Sequence, residues 1–355
     1  MFTLDRRGFV TFAFGATAGS FLPPAVFAQA QAPFDLGKLK SGYLNRLAAI
    51  RKTGLVPVID IESSYDPTKI DIAAFAKSMD RAGIAQMALS ADQPGHRVNA
   101  GELWSHHAFD LIRAYPEHFI PTGNGGNHPA WTRNADRFLD DNEPFVVEHG
   151  YALMGEFEFR HYPSPRQIER NELFRDVNIA IDSPQGHRLF AFAEKTGIPF
   201  QVHYEIEDQL LPPLDAMMTQ YPKAKVIWCH LAQIRFSARG QTYNAVYLRD
   251  LLARHPNLYI DVAFGGPNSV YQPSKERHAR VWDSSGDIKR EWRDLIVEQP
   301  YRFLAALDIG GDRMERVEEW MKTLRRFLDG LPAPTRNIVA HGAAWKLLFG
   351  ETIPA

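Results

Sequence analysis

The chain contains a single cysteine, Cys229, in 355 residues. A disulfide framework is excluded, and so is any zinc cluster built on cysteine. Charge of one sign is equally scarce, with 40 Lys+Arg against 42 Asp+Glu and a net charge of -2. No basic face or stripe is expected, so no nucleic-acid partner is expected either. Beyond residues 1–30, no apolar run approaches the ~20 residues of a membrane span. Repeats, long linkers and low-complexity runs are also missing. No GxGxxG follows a strand-like run; GNGGNH at 123–128 lacks that spacing and reads as a turn-rich loop. What is present is the balance of an ordinary globular protein, 45% hydrophobic and 23% charged. The 13 His and 42 acidic residues make ligand types plentiful, so their placement must carry the argument.

The N-terminus reads as an address. Arg6-Arg7 precede a Gly/Ala-rich apolar stretch to Leu22, then Pro23-Pro24 and small residues. This looks like a twin-arginine export signal, cleaved after Ala28 or Ala30. The expectation is residues 1–30 as signal and 31–355 as one barrel domain, periplasmic or secreted, with no membrane anchor after cleavage. That route carries folded proteins, often with a bound group, which favours a metal weakly.

The mature chain alternates. Apolar, β-branched runs recur at 55–61, 84–90, 118–123, 152–159, 198–204, 225–231, 257–264 and 301–307. Amphipathic segments lie between them. Ile72, Phe75, Ala76 and Met79 follow helical spacing, with Gly83 as a stop. Val317, Trp320, Met321, Leu324, Phe327 and Leu328 repeat the pattern before Gly330. Eight strands separated by helices predict an α/β fold, a closed (β/α)8 barrel, over the runner-up open doubly wound sheet.

In such a barrel the site forms at the C-terminal strand ends, and side chains alternate along each strand. Placing Ile59 and Ile61 against the helices sends Asp60, Glu62 and Ser64 inward. Placing Phe157 and Phe159 outward sends Glu156, Glu158 and Arg160 inward. Gln201, His203 and Glu205 likewise face in, while His230 and Asp308 end their runs. Asp60 reads as a structural or supporting group, and Glu158 with Arg160 as a possible ion pair. His106, His107 and His128 read as surface or helix-face residues. The loop at 265–287, with Tyr271, His278, Arg280 and Trp282, is long enough to form a lid or pocket wall.

The segments PVIDIESS, GIPFQVHYE, KAKVIWCHLA, NLYIDVAFGG and QPYRFLAALDIGGD resemble the amidohydrolase-related barrels of the metal-dependent hydrolase superfamily, over roughly residues 55–350. The resemblance implies metal-associated histidines at His203 and His230, and at Asp308 a metal-binding carboxylate that handles a proton. It implies an acidic bridging position at Glu156 or Glu158. The family's first strand usually reads Asp-x-His-x-His, where this chain has Asp60-Ile61-Glu62-Ser63-Ser64. The candidate metal ligands are thus Glu62, Glu156, His203, His230 and Asp308, with Asp308 and His230 also catalytic. This oxygen-rich set suits zinc, manganese or iron. The implied activity is metal-dependent hydrolysis of an amide, ester or lactone in a small molecule. A decarboxylase or hydratase on the same barrel, or a metal-free binding protein, are the alternatives. For the signal, replacing Arg6 and Arg7 by Lys should leave uncleaved precursor in the cytoplasm, checked by cell fractionation.

Overall fold

Each apolar run is followed by an amphipathic helix, and the chain pairs the runs in parallel. The computed structural model describes residues 32–91, 104–126 and 128–354; the export segment lies outside them. The strands are β1 (Val58–Tyr65), β2 (Ile84–Ala91), β3 (Phe119–Ile120, resumed at Thr122–Gly123), β4 (Leu153–His161), β5 (Phe200–Tyr204), β6 (Val226–Trp228), β7 (Leu258–Asp261) and β8 (Phe303–Leu304). Pro121 interrupts β3 because proline has no N–H for the ladder. β1, β2 and β3 pair in order, and β3 through β8 continue in order, all in parallel.

The two edges of this sheet meet. Ile61 N donates to Ala305 O at 3.0 Å, Asp308 N to Glu62 O at 3.0 Å, and Ser64 N to Ile309 O at 2.8 Å. These bonds join β1 to β8 and its continuation, so the barrel is closed and leaves no edge. The fold is a (β/α)8 barrel. Between consecutive strands, and after the last, run the helices Ile72–Ala82, Ala108–Ala114, Ala130–Glu148, Pro184–Thr196, Leu211–Gln220, Ala245–Arg254, Arg290–Glu298 and Val317–Asp329. The helix at 72–82 has the expected stripe and stops at Gly83, in the left-handed conformation.

Two apolar layers result. Val58, Met87, Phe119, Phe157, Phe159, Phe200, Val202 and Phe303 pack outward against the helices. Ile59, Ile61, Ala88, Ile120, Leu153, Ile227 and Leu304 meet inside, with Tyr43, Leu47 and Trp345. Tyr43 Oη donates to Phe119 O at 2.7 Å and Arg46 Nη2 to Ile84 O at 2.8 Å. Helix Leu36–Lys52 therefore closes the end of the barrel opposite the strand C-termini.

Ile59 and Ile61 are a correction, since alternation placed them against the helices. β1 breaks its ladder register between Val58 and Ile59 and again between Asp60 and Ser63. Both isoleucines fill the interior, and the second irregularity still lets Glu62 reach the mouth.

Asp60 is fully buried and supports the closure. Its Oδ1 accepts from Glu62 N at 3.2 Å and from Leu307 N at 3.0 Å, and its Oδ2 from Ser63 Oγ at 2.6 Å. Asp60→Ala strands these donors, each costing ~1–3 kcal/mol when buried without a partner. Urea unfolding should show a loss of about 3 kcal/mol or more, with secondary structure retained below the transition.

Candidate functional site

The C-terminal ends of the strands open into a cavity of about 390 Å³, lined by Glu62, Glu156, Glu158, His161, His203, His230 and Asp308, among others. All five residues expected as ligands reach this cavity. Glu156 is held there by close packing of main chain. A Cβ on Gly125 would collide with the main chain of Glu156, so the GNGGNH turn lets β3 press against β4 at that residue. Gln201, next to His203's face of β5, donates its Nε2 across the barrel to Ile61 O at 2.5 Å.

Glu156 Oε1 lies 2.9 Å from His203 Nδ1 and 3.2 Å from His230 Nε2. The two imidazoles approach each other at 3.1 Å. The other nitrogen of His203 faces Glu205 Oε1 at 3.1 Å, and Glu205 is paired with buried Arg235. The Nδ1 of His230 lies 2.8 Å from Ala263 O, which fixes the proton on that nitrogen and turns Nε2 to the cavity. His230 and Asp308 both have positive φ, 70° and 47°, a conformation costly for non-glycine residues. His230 is held there by Asp261, whose Oδ1 accepts from His230 N at 2.8 Å and Ala263 N at 3.0 Å.

The electrostatics are those of crowded acids around two imidazoles. Burial pushes Glu156 up, but the charges and hydrogen bonds of His203 and His230 hold it well below the usual range. Burial opposes a charge on His230, yet bonding to Glu156 and the charges of Asp261, Glu156 and Asp308 lift it to about 10. Glu62 is driven well above the usual range by burial, then by Asp308, Glu156 and Asp261. Its Oε2 and Asp261 Oδ2 are buried with no hydrogen-bond partner among the described residues.

Those orphaned oxygens are what a bound cation would satisfy, since a buried charge must be paired, neutralised or coordinated. One group of possible ligand atoms, from Glu156, His203 and His230, lies within 4.8 Å; a second group, from Glu62, His230 and Asp261, does the same. Carboxylates and imidazoles suit a divalent cation such as zinc, manganese or iron. Asp308 stands apart from both groups. It lines the cavity half-exposed, with Arg313 Nη2 at 3.1 Å.

Other expectations are corrected. Arg160 does not serve Glu158; it pairs with Asp176 at 2.6 Å and lies over the Tyr162 ring. Glu158 pairs instead with Arg175. His128 is no bystander but lines the cavity, beside Phe174. His106 and His107 do sit in a surface turn. Asp261, His161, Arg175, Arg235 and Arg313 were not anticipated. Asp261 ends β7 as Asp308 follows β8, so the same strand-end logic, applied to that run, was the signal that would have found it; the arginines come from loops, which have no period to read.

The amidohydrolase family model matches residues 62–285, and the chain belongs to that family. Its members typically bind a divalent metal ion, and the two ligand groups above provide candidate sites. No curated protein matches the sequence. Among solved structures, the chain is similar to a 2,6-dihydroxybenzoate decarboxylase from Rhizobium at 12% identity, covering 83% of this chain and 99% of that one, with a TM-score of 0.47. It is similar to an amidohydrolase II at 14% identity over 82% and 99%, TM-score 0.49. It is also similar to an L-hydantoinase from Arthrobacter aurescens at 12% identity over 82% and 70%, TM-score 0.43.

Glu62→Gln should separate the two effects of that carboxylate. In mildly alkaline, metal-free buffer the variant should be about 1–2 kcal/mol more stable than the parent, because a buried like-charge contact is gone. With zinc added the order should reverse, since the parent gains binding free energy and the variant binds at least ~10-fold more weakly. Urea midpoints with and without zinc check both.

Proposed function

We propose that this protein is a metal-dependent hydrolase that cleaves an amide, ester or lactone bond of a small molecule. The observation that carries this reading is Glu62 Oε2, without a hydrogen-bond partner among the described residues and buried in the cavity where Glu156, His203 and His230 converge. Glu62, Glu156, His203 and His230 are the residues to hold a divalent cation, zinc or alternatively manganese or iron. When bound, such a cation lowers the pKa of a water toward ~7 and polarises a carbonyl.

The chain's own residues supply the proton transfers. Asp308, half-exposed on the cavity wall, takes the proton of the attacking water and returns it to the leaving group. Arg313 holds the Asp308 carboxylate in one orientation. Glu205 accepts from His203 and thereby fixes which imidazole nitrogen faces Glu156. We further place the protein outside the cytoplasm, on the strength of Arg6-Arg7.

A second reading, decarboxylation, is favoured by one observation: Arg175, Arg235 and Arg313 line the same cavity, and guanidinium groups suit a carboxylate substrate. Turnover of a lactone and aryl-carboxylate panel in 18O-water tests the choice. Hydrolysis leaves one labelled oxygen in the product; decarboxylation releases carbon dioxide and exchanges in a hydrogen. Asp308→Asn should lower kcat by roughly 10²–10⁴ with metal content unchanged. Chelation should abolish turnover, and zinc or manganese should restore it. Full activity of the Asn variant would remove Asp308 from the proton transfers.

A further inference from the structure

The polar cavity has a neighbour. A second chamber of about 350 Å³ lies beside it, and Ser164, Arg166, Arg235, Asp308 and Arg313 line both. The volume is at the lower end for small-molecule sites, ~300–1,000 Å³. Its remaining walls are largely apolar: Phe264, Tyr271, Leu324 and Phe327, with Trp320 and Thr323. They come from the loop after β7 and the helix Val317–Asp329 after β8.

These walls are set before any ligand arrives. Phe264 packs edge-on against Phe327 with ring centres 5.1 Å apart, and against Trp282 at 5.7 Å. Trp282 is in turn anchored by its Nε1, which donates to Gly265 O at 2.9 Å. Tyr271 Oη donates to Pro163 O at 3.1 Å, which ties the loop after β7 to the end of β4. A site fixed this way loses little conformational entropy on binding.

Two buried polar atoms of the lining residues have no hydrogen-bond partner among the described residues: Trp320 Nε1 and His278 Nδ1. Burial, with Arg235 nearby, holds His278 down to about 4, so its ring is neutral at physiological pH.

We propose that this chamber is the subsite for an apolar arm of the substrate, so that the substrate is amphiphilic. Its reacting carbonyl or carboxylate lies at the Asp308–Arg235–Arg313 junction. Its alkyl or aryl arm extends between Phe264, Leu324, Phe327 and Trp320. The proposal rests on the hydrolase reading for the placement of the reacting end.

Calorimetric titration of the zinc-loaded full-length mature protein with acetate, butyrate and hexanoate tests it. The arginines at the junction hold the carboxylate, and the chain samples the chamber. Affinity should rise about threefold to fourfold per added methylene, the value of burying one CH2. Thr323→Trp fills the chamber from a helix position that touches none of the proposed ligands. It should flatten that series while leaving acetate binding and zinc content at the parent level. Equal affinities across the series in the parent, or an unchanged slope in the variant, would overturn the subsite. The same titration of the metal-free protein keeps the two readings apart. A rising slope without zinc uptake would refute the metal site and leave the chamber standing; zinc uptake with a flat slope would do the reverse.

Discussion

The structure is organised around surplus negative charge at the mouth of a closed barrel. Glu62, Glu156, Asp261 and Asp308 act on one another there, and only Glu156 is answered directly by two imidazoles. In water such a cluster would be screened; buried, it must be answered by protons or a cation. Glu62 Oε2 and Asp261 Oδ2 are left without a hydrogen-bond partner among the described residues. That shortage links a set of strand ends to metal chemistry more firmly than any single histidine does.

Bringing the acids together has a mechanical cost, and the surrounding structure carries it. His230 and Asp308 sit in left-handed conformations at the ends of β6 and β8. Each is restrained by its backbone N–H, which donates to a neighbouring strand: His230 N to the Asp261 side chain, and Asp308 N to Glu62 O. Strain of ~1–3 kcal/mol per residue persists only where the rest of the fold over-determines it. The closure of β1 against β8, reinforced by Asp60, is part of that over-determination. Opening the closure would release Asp308 from its position beside Glu62.

The cavity walls have a different origin from its floor. Strand ends supply the acids and imidazoles, on a scaffold packed from both sides. Loops supply Arg175, Arg235, Arg313, Tyr271 and His278. This is the usual division in barrels, with chemistry on rigid strand termini and selectivity on the connections. Glu205 and Arg235 join the two layers, because Glu205 contacts His203 on one side and Arg235, which lines both chambers, on the other.

The alternation of apolar runs and amphipathic stripes was enough to read the eight-stranded barrel, because each strand must bury its β-branched face against a helix. Strand-end reasoning also reached Glu62, Glu156, His203, His230 and Asp308, since polar residues closing an apolar run have few places to go. At β1 the phase was misassigned: Ile59 and Ile61 share the inner face, and it is the irregularity between Asp60 and Ser63, which a period of two cannot anticipate, that still brings Glu62 to the mouth. Alternation also mispaired Arg160, because Asp176 lies in the loop just before Val177–Asn178, a short strand that pairs with the end of β4 and that local pattern does not place. Which carboxylate meets which imidazole, which loop arginines reach the cavity, and that a second, apolar chamber opens beside Asp308 were decided only by tertiary structure. Such contacts join residues tens to hundreds of positions apart, and their energies depend on burial that no local pattern records.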